Sequence, residues 1–369
     1  MGEYPHQVST SMKNHFQKLG IKKDERQKFP SPGGREIREG GWSGWNTTLT
    51  LVLSHQGRGG KNFFLILLLF VLFSASVSHA SPLTFKDEVG REVTFSFPPR
   101  RIVSLAPNIT EILFSLGLDE EIVGVSIHCN FPEKAKKKVR VGSYISLDFE
   151  KIASLNPDLI IATGAGNTRE MVDRLGKLGF QTYVIFPKNF EDILKSLIHI
   201  GQVVNRDREA RGIVEGMRRR SQRVIELTQN LPRPKVFVQI GEAPLVTVGK
   251  GSFADDLLRL AGGDNIAGKE KEVYPRFGME EILKRSPEVI VISSMNPKGD
   301  YQKILQEWNR WKTIPAVKNG RIYLIDSDLL DRPSPRIIDG LEELARVLHP
   351  ERFKKSLQNK HSKTRTDYC

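Results

Sequence analysis

Two stretches of the chain decide its fold: EKIASLNPDLII at residues 150–161 and EEILKRSPEVIV at residues 280–291. The second repeats the first at a constant offset of 130 residues, with Glu, Ile, Pro and a further acidic residue at matching positions. Each has the apolar spacing of a short helix that leads through a proline into a buried strand. A helix–strand unit that occurs twice predicts two similar α/β lobes.

Around these stretches, short β-rich runs alternate with helical segments, which is typical of parallel sheets covered by helices. The alternation fills residues 81–204 and resumes over residues 232–350. One long helical stretch without proline, residues 205–231, lies between them. The sequence therefore predicts an α/β fold in which two similar lobes with parallel-type sheets are joined by one long backbone helix. A ligand cleft is expected between the lobes, at the carboxyl ends of the strands.

The two ends of the chain lie outside this predicted fold. Residues 58–80 combine basic residues, an apolar run and small closing residues, which predicts a signal peptide cleaved after Ala80. A buried core helix or a membrane anchor is the alternative for that run. Residues 1–57 are interpreted as a mis-annotated start or a disordered extension, and residues 351–369 as a basic disordered tail.

The net charge of +13 invites a nucleic-acid interpretation, but most of the excess lies at the ends. Residues 81–350 carry 40 basic and 36 acidic residues, so the body has a net charge of only +4. The arginines at 218–220 have no accompanying aromatic residues for base stacking, so we interpret them as a solvated helix face. Only two cysteines, Cys129 and Cys369, are present, which excludes a disulfide-rich scaffold and a Cys-rich zinc site.

Catalytic signatures are missing from the sequence. It has no G-x-S-x-G elbow, no H-E-x-x-H pair and no complete phosphate-binding loop. Of the eight histidines, His128 alone falls in a strand-end loop near other polar groups, and a lone histidine there is more often structural than a metal ligand. We therefore expect no enzyme and no metal site. An exported two-lobe protein of this kind is most simply a solute-binding protein.

Three stretches, one of them within residues 150–161, resemble class III periplasmic binding proteins, the receptors of ABC importers for cobalamin, haem and ferric siderophores. They are RIVSLAPNITE at 101–111, LNPDLII at 155–161 and LAGGDNI at 260–266. The resemblance spans about residues 83–350 and implies two α/β lobes with modest closure on a ligand. It implies a periplasmic monomer without a cofactor, which passes a small molecule to an ABC permease and its ATPase and binds no nucleic acid.

Within that family, SDLLDRPSPRI at residues 327–337 is most similar to cobalamin-binding receptors. The resemblance implies two tyrosines that stack on a corrin plane and an arginine at the rim of the ring. Thr163 stands where those receptors carry a cleft tryptophan. A corrinoid is the first expected ligand, and a ferric siderophore, haem or another metal chelate is the alternative. The implied ligand-binding residues are Tyr144, Tyr274, Arg332, Thr163 and Arg276. The alternative for each tyrosine is a half-buried surface aromatic, and the alternative for Arg332 is a salt bridge within its loop to Asp331.

The same resemblance implies one acidic residue on an equivalent surface helix of each lobe, which docks against permease arginines. Glu111 stands six residues before Gly117, and Asp256 stands six residues before Gly262. We assign Glu111 and Asp256 to permease docking on this basis. Helix capping is the alternative role, since Ser252 opens a capping box beside Asp256.

Overall fold

The computed structural model describes residues 81–353 apart from Ala243, Met295 and Asn296. At Ser81 and at residues 297–301 it describes the backbone alone. The predicted N-terminal extension, the predicted signal peptide and Cys369 lie outside the described residues.

The N-terminal lobe is built on a five-stranded parallel sheet, accompanied by two antiparallel hairpins. Its strands are β1 (Ser81–Lys86), β2 (Glu92–Phe97), β3 (Ile102–Ser104), β4 (Ile122–Val125), β5 (Val139–Arg140), β6 (Gly142–Ser143), β7 (Ser146–Leu147), β8 (Leu159–Thr163) and β9 (Thr182–Ile185). The sheet order is β5-β4-β3-β8-β9, and the hairpins are β1–β2 and β6–β7. Strands β3 and β8 are buried along their whole length, as expected for parallel strands covered on both faces.

Helices connect these strands and begin at residues that favour helix starts. They are α1 (Pro107–Ser115), α2 (Phe149–Ser154), α3 (Arg169–Lys177) and α4 (Phe190–Val203), with a 3₁₀ helix at Glu133–Lys137. Asp148, Thr168 and Asn189 cap α2, α3 and α4 by accepting a backbone N–H from the third residue on. Helix α1 starts at a proline and has no side-chain cap.

The C-terminal lobe repeats the layout with a mixed sheet. Its strands are β10 (Lys235–Glu242), β11 (Leu245–Thr247), β12 (Asp264–Asn265), β13 (Arg276–Phe277), β14 (Val289–Ser294) and β15 (Ile322–Asp326). Strands β10, β12, β14 and β15 pair in parallel, whereas β11 and β13 form an antiparallel edge. Its helices are α6 (Phe253–Leu260), α7 (Met279–Arg285), α8 (Pro297–Trp308), α9 (Pro315–Lys318), α10 (Ser327–Leu330) and α11 (Ile337–Leu348), numbered after α5 (Asp207–Thr228), which precedes β10.

Helix α5 connects the lobes and packs against α4 on one side and α11 on the other. One hydrophobic core runs through both lobes, from residues such as Ile112 on α1 to Leu344 on α11. The arginines of α5 face acidic partners: Arg218 forms a bidentate pair with Glu191, and Arg220 pairs with both Asp339 and Glu342. Because these arginines are partly exposed and paired with surface carboxylates, they agree with the predicted solvated helix face.

The predicted fold class, two α/β lobes joined by a long helix, is confirmed. The antiparallel edge of the second sheet was not predicted, because its strands are only two or three residues long. The long helix is shorter than the stretch expected from sequence, beginning at Asp207 and ending at Thr228. Residues 351–353, which the sequence pattern assigned to a disordered tail, are helical, and Phe353 is buried in the core.

Candidate functional site

The candidate site lies where strands of both lobes end. In the first sheet the chain leaves β3 toward β4 on one side and returns to β8 on the other. Where consecutive connections run to opposite sides of a strand, the loops diverge and leave a crevice at the carboxyl ends of the strands. In the second lobe, the segment 327–336 follows the carboxyl end of β15. Hydrogen bonds between this segment and α1 show that the two edges meet.

Tyr144 is presented by the hairpin β6–β7. It lies in the two-residue turn that follows Ser143, which pairs with Ser146. Gly142 permits this hairpin, because its φ is +101° and a Cβ there would lie 2.3 Å from the carbonyl oxygen of Ser146. The turn holds Tyr144 half-buried at the crevice.

Two neighbours fix the Tyr144 ring. The His128 imidazole stacks on it, with ring centroids 5.5 Å apart and an interplanar angle of 21°. A Cβ at Gly166 would lie 3.0 Å from the ring, so the tyrosine rests directly on that loop. Burial raises the pKa of Tyr144, so its hydroxyl stays protonated. Burial, helped by the charge of Arg332, lowers the pKa of His128 and favours the neutral imidazole.

Cys129, the next residue, is a structural thiol. It is 1% exposed and exchanges hydrogen bonds with the hydroxyls of Thr110 (3.1 Å) and Ser126 (3.2 Å). Burial raises its pKa, which keeps the sulfur protonated and unreactive.

The most enclosed charge at this edge is the Glu111 carboxylate, whose side chain is 2% exposed. It accepts hydrogen bonds from the Ser334 hydroxyl (2.6 Å), from Nη1 of Arg332 (3.1 Å), and from Nε and Nη2 of Arg336 (2.9 and 2.6 Å). Glu111 belongs to the N-terminal lobe and all three donors belong to the C-terminal lobe. This carboxylate therefore ties the two lobes together.

Arg332 extends the same network. Its Nη1 donates to Oδ1 of Asn130 at 2.6 Å, and its Nη2 pairs with Oδ1 of Asp328 at 2.6 Å. The Asn130 amide donates in turn to Oδ2 of Asp328 at 3.0 Å. Arg336 also packs over the Phe131 ring, 4.0 Å from its centroid. We call this network the inter-lobe clasp; its members are Glu111, Asn130, Asp328, Arg332, Ser334 and Arg336.

The clasp overturns the expectation that Glu111 is exposed on a surface helix for docking. A carboxylate that is 2% exposed and bonded to two arginines is not available to a permease in this conformation. The spacing to Gly117 marks only where α1 ends, and it carries no information about which face of the helix is exposed.

Asp256 is partly exposed, but its carboxylate already has partners. Its Oδ2 accepts the backbone N–H of Phe190 at 3.0 Å, at the start of α4, and it pairs with Arg259 on its own helix. It therefore contributes to the N-terminus of a helix in the other lobe. The expected Ser252 cap is confirmed, since its hydroxyl accepts the N–H of Asp255 at 3.1 Å.

Tyr274 supplies an aromatic side chain from the C-terminal lobe. It precedes β13 and is half-buried, and burial together with the charge of Asp331 raises its pKa. Asp331 follows α10 and accepts the Ser293 hydroxyl at 2.6 Å. Although Asp331 keeps solvent-exposed atoms, enclosure by the surrounding protein raises the pKa of its carboxyl to about 6, and the charge of Asp328 adds to this shift.

The two remaining predicted residues lie at different places. Thr163 ends β8 and is buried, and its backbone N–H donates a hydrogen bond to Oδ1 of Asn167 in the adjoining loop at 3.1 Å. Arg276 is exposed on β13 and is not a member of the clasp. Arg332 is thus a member of the clasp, Arg276 is not, and Tyr144 and Tyr274 are half-buried in their respective lobes.

Surface cavities occur elsewhere. One of about 590 Å³ is lined by Glu150 and Arg174, and another of about 570 Å³ is lined by Arg218 and Asp256; neither is lined by the two tyrosines. Among residues 81–353, as far as they are described, no group of three or more His, Cys, Asp or Glu is arranged to hold a metal. No helix in those residues combines the length and apolar character of a membrane span.

Comparison with known proteins places this geometry in a family. The model of the periplasmic binding protein family matches residues 102–329. The chain belongs to the periplasmic binding protein family. A vitamin B12-binding protein of Vibrio vulnificus (strain CMCP6) is 31% identical over 255 residues, which cover 67% of this chain and 89% of the relative. A Bacillus subtilis (strain 168) relative, an uncharacterized ABC transporter substrate-binding lipoprotein, is 30% identical over 74% of this chain and 87% of its own.

Solved structures agree with the membership in this periplasmic binding protein family. The periplasmic vitamin B12-binding protein of Vibrio cholerae matches with a TM-score of 0.61 and 29% identity, over 68% of this chain and 97% of that one. A haem-binding periplasmic protein of Roseiflexus sp. RS-1 matches with a TM-score of 0.62 at 23% identity, over 69% of this chain and 99% of that one, and shows the fold alone. The family and these relatives are binding proteins, which confirms that the chain is not an enzyme.

Sequence reasoning missed the clasp, whose key partners Glu111 and Arg332 are separated by 221 residues. One signal was available in the sequence. Glu111 lies on a helix whose flanking residues Ile109 and Ile112 are fully buried core residues. A carboxylate on an apolar helix face needs a charged partner, so its position alone predicts a buried ion pair.

Proposed function

We propose that this protein captures a corrinoid between its two lobes and delivers it to an ABC importer. The observation that carries the proposal is the pair Tyr144 and Tyr274, one half-buried aromatic ring from each lobe. The charges of Asp328 and Arg332 act on the Tyr144 hydroxyl, and the charge of Asp331 acts on the Tyr274 hydroxyl, which supports a place for both rings near the segment 327–336.

The chemistry of this pair suits a wide planar ligand. Tyrosine rings offer large apolar faces for stacking, and their hydroxyls can bond to polar groups at the edge of a macrocycle. The pKa of both tyrosines is raised, so both hydroxyls donate hydrogen bonds across the physiological pH range. Exposed apolar side chains beside Tyr144, such as Ile127 and Ile145, add apolar surface at the same edge. The vitamin B12-binding relatives support a corrinoid as the ligand.

A ferric chelate is the second candidate. One solved relative at 28% identity, from Staphylococcus epidermidis, is described as a possible iron-binding protein; the match has a TM-score of 0.60 and covers 68% of this chain and 99% of that one. Such a ligand with carboxylate or catecholate groups would call for cations at the cleft. Arg276, which lies outside the clasp and is exposed, would supply such a cation.

Ligand titration separates these candidates. The purified protein is titrated with dicyanocobinamide, haemin and a ferric hydroxamate, with absorbance and calorimetry as readouts. Tyr144→Ala and Tyr274→Ala should each weaken corrinoid binding about tenfold or more, by analogy with the stacking of bases on aromatic rings. Trp311→Ala removes an exposed aromatic between α8 and α9 and serves as the matched control, with unchanged affinity. Binding of the chelate in place of the corrinoid would favour the second candidate.

We also place the protein in the periplasm, with the signal peptide removed after Ala80, because relatives are periplasmic or lipoprotein receptors of ABC transporters. N-terminal sequencing of exported protein should begin at Ser81. Exported protein that retains residues 1–60 would contradict both the signal peptide and the mis-annotated start.

Because Glu111 is enclosed in the clasp, we further propose a different pair of acidic residues for permease docking. The internal repeat makes Glu150 and Glu280 equivalent, and each is the exposed second residue of its helix, α2 or α7. Each helix leads into a parallel strand, β8 or β14, so its first turn lies at the carboxyl edge of its sheet. One carboxylate per lobe therefore lies on the side that opens to the ligand, where two permease halves can meet them.

The double change Glu150→Ala with Glu280→Ala tests this pair. Ligand affinity should stay at the wild-type value, while permease binding and uptake fall, most strongly at low salt. Glu209→Ala with Glu226→Ala removes two exposed carboxylates of α5 and is the matched control. Wild-type permease binding by the first double variant at low salt would reject this docking pair.

A further inference from the structure

The two arginines of the cleft are already neutralised by the protein. Arg332 contacts the carboxylates of Glu111 and Asp328 at 3.1 and 2.6 Å, and Arg336 contacts the same two at 2.6 and 3.7 Å. Two positive and two negative charges cancel within the clasp. The Arg332 side chain is 17% exposed and the Arg336 side chain is 20% exposed, so little of either guanidinium is accessible to a ligand.

Binding of a ligand carboxylate beside the clasp would be electrostatically unfavourable. To reach Arg332 it must displace an existing partner, and it would then lie beside Glu111 and Asp328, which repel it. Asp331, the residue before Arg332, adds a further carboxylate near Tyr274. A ligand amide faces no such repulsion, because it is uncharged and offers both a carbonyl acceptor and an N–H donor. Both tyrosine hydroxyls can donate to its carbonyl.

We propose that Glu111 sets the charge class of the ligand: by neutralising Arg332 and Arg336 it makes the cleft select a macrocycle rimmed by amides over the same macrocycle rimmed by carboxylates. The inference rests on the proposed function, since it concerns the same cleft. Glu111 acts through the arginines and so is a positioning residue, with Asp328 as its companion on the other lobe. A role limited to stability would weaken the binding of every ligand alike.

The test compares two probes that share one ring: dicyanocobinamide, whose rim carries amides, and dicyanocobyrinic acid, whose rim carries carboxylates. Wild-type protein should bind the amide probe at least about tenfold more tightly, by the usual cost of an unfavourable charge contact. Glu111→Gln removes one negative charge, so the ratio of the two affinities should shift by about tenfold toward the carboxylate probe. Asp328→Asn should shift it in the same direction, and it decides the question if Glu111→Gln does not fold.

Glu191→Gln is the matched control, because it removes a carboxylate from the exposed pair with Arg218, outside the clasp. Its ratio should equal that of the wild type. An unchanged ratio in the clasp variants, or an equal loss for both probes, would overturn the selectivity role of Glu111 while leaving corrinoid capture intact. If wild-type protein binds neither probe, the proposed function itself fails.

Discussion

Gly142 offers a sharp test of how the hairpin β6–β7 positions the ligand site. Its φ of +101° lies where side chains are disfavoured, and a Cβ would come within 2.3 Å of the Ser146 carbonyl oxygen and 2.9 Å of the Asp148 nitrogen. Gly142→Ala should therefore combine backbone strain of about 1–3 kcal/mol with a steric cost of about 1–3 kcal/mol. The hairpin can relieve both only by opening, which moves Tyr144 away from its stacking position.

Gly90→Ala is the matched control for this change. Gly90 has a similar φ of +88°, in the turn of hairpin β1–β2, but nothing lies within 4 Å of its Cβ position. Urea unfolding should show a loss of stability in both variants, larger for Gly142→Ala by at least about 1 kcal/mol because of the clash. Corrinoid affinity should fall about tenfold in Gly142→Ala alone. Equal stabilities with unchanged affinities would refute the reasoning.

Asp256→Ala removes the acceptor for the Phe190 N–H, so urea unfolding should show a loss of about 0.5–2 kcal/mol with ligand affinity unchanged. Asp331 has a pKa of about 6 in the folded protein and about 3.9 in the unfolded chain, so between these values the folded state holds the extra proton and stability falls as pH rises. The stability of Asp331→Asn relative to wild type should therefore increase from pH 4 to pH 6 in urea titrations. Gln239→Leu leaves the buried indole N–H of Trp308 without its 3.0 Å partner, which should cost about 1–3 kcal/mol.

Each of these three expectations has an outcome that contradicts it. Reduced ligand affinity in Asp256→Ala, with normal stability, would assign that residue to the site. A stability difference for Asp331→Asn that stays flat from pH 4 to pH 6 would show that its carboxyl is not enclosed. For Gln239, adding Trp308→Phe removes both partners, so the combined loss should be smaller than the sum of the single losses; additive losses would exclude the hydrogen bond.

The regular elements could be predicted because their signals are local. The repeat at 150–161 and 280–291 places α2 before β8 and α7 before β14 as the structure has them. Apolar runs, proline and glycine report on the neighbouring few residues, and parallel strands need little more. The short strands β11 and β13 escaped prediction because two or three residues carry no period.

The residues of the site could be predicted in type but not in environment. The ligand-binding roles of Tyr144, Tyr274 and Arg332 stay predictions, whereas the expected exposure of Glu111 was wrong, because it was inferred from spacing along a helix. Whether a helical carboxylate faces solvent depends on what packs against it, here a loop 221 residues further along the chain. The apolar residues around Glu111 indicate that it is buried, but no local pattern identifies a partner so distant in sequence.

The clasp and helix α5 both fix the position of one lobe relative to the other. Helix α5 packs against helices of both lobes, and the clasp joins the lobes at the cleft through partly buried ion pairs. Such pairs add little net stability, because desolvation offsets their attraction, but they fix one arrangement of the groups they join. When the lobes are already held in one arrangement, ligand binding has only a small free-energy cost for ordering them. Selectivity must then come from the surfaces already in place, the tyrosine rings and the neutralised arginines, so a change of charge at Glu111 should alter which ligand binds more than how far the lobes move.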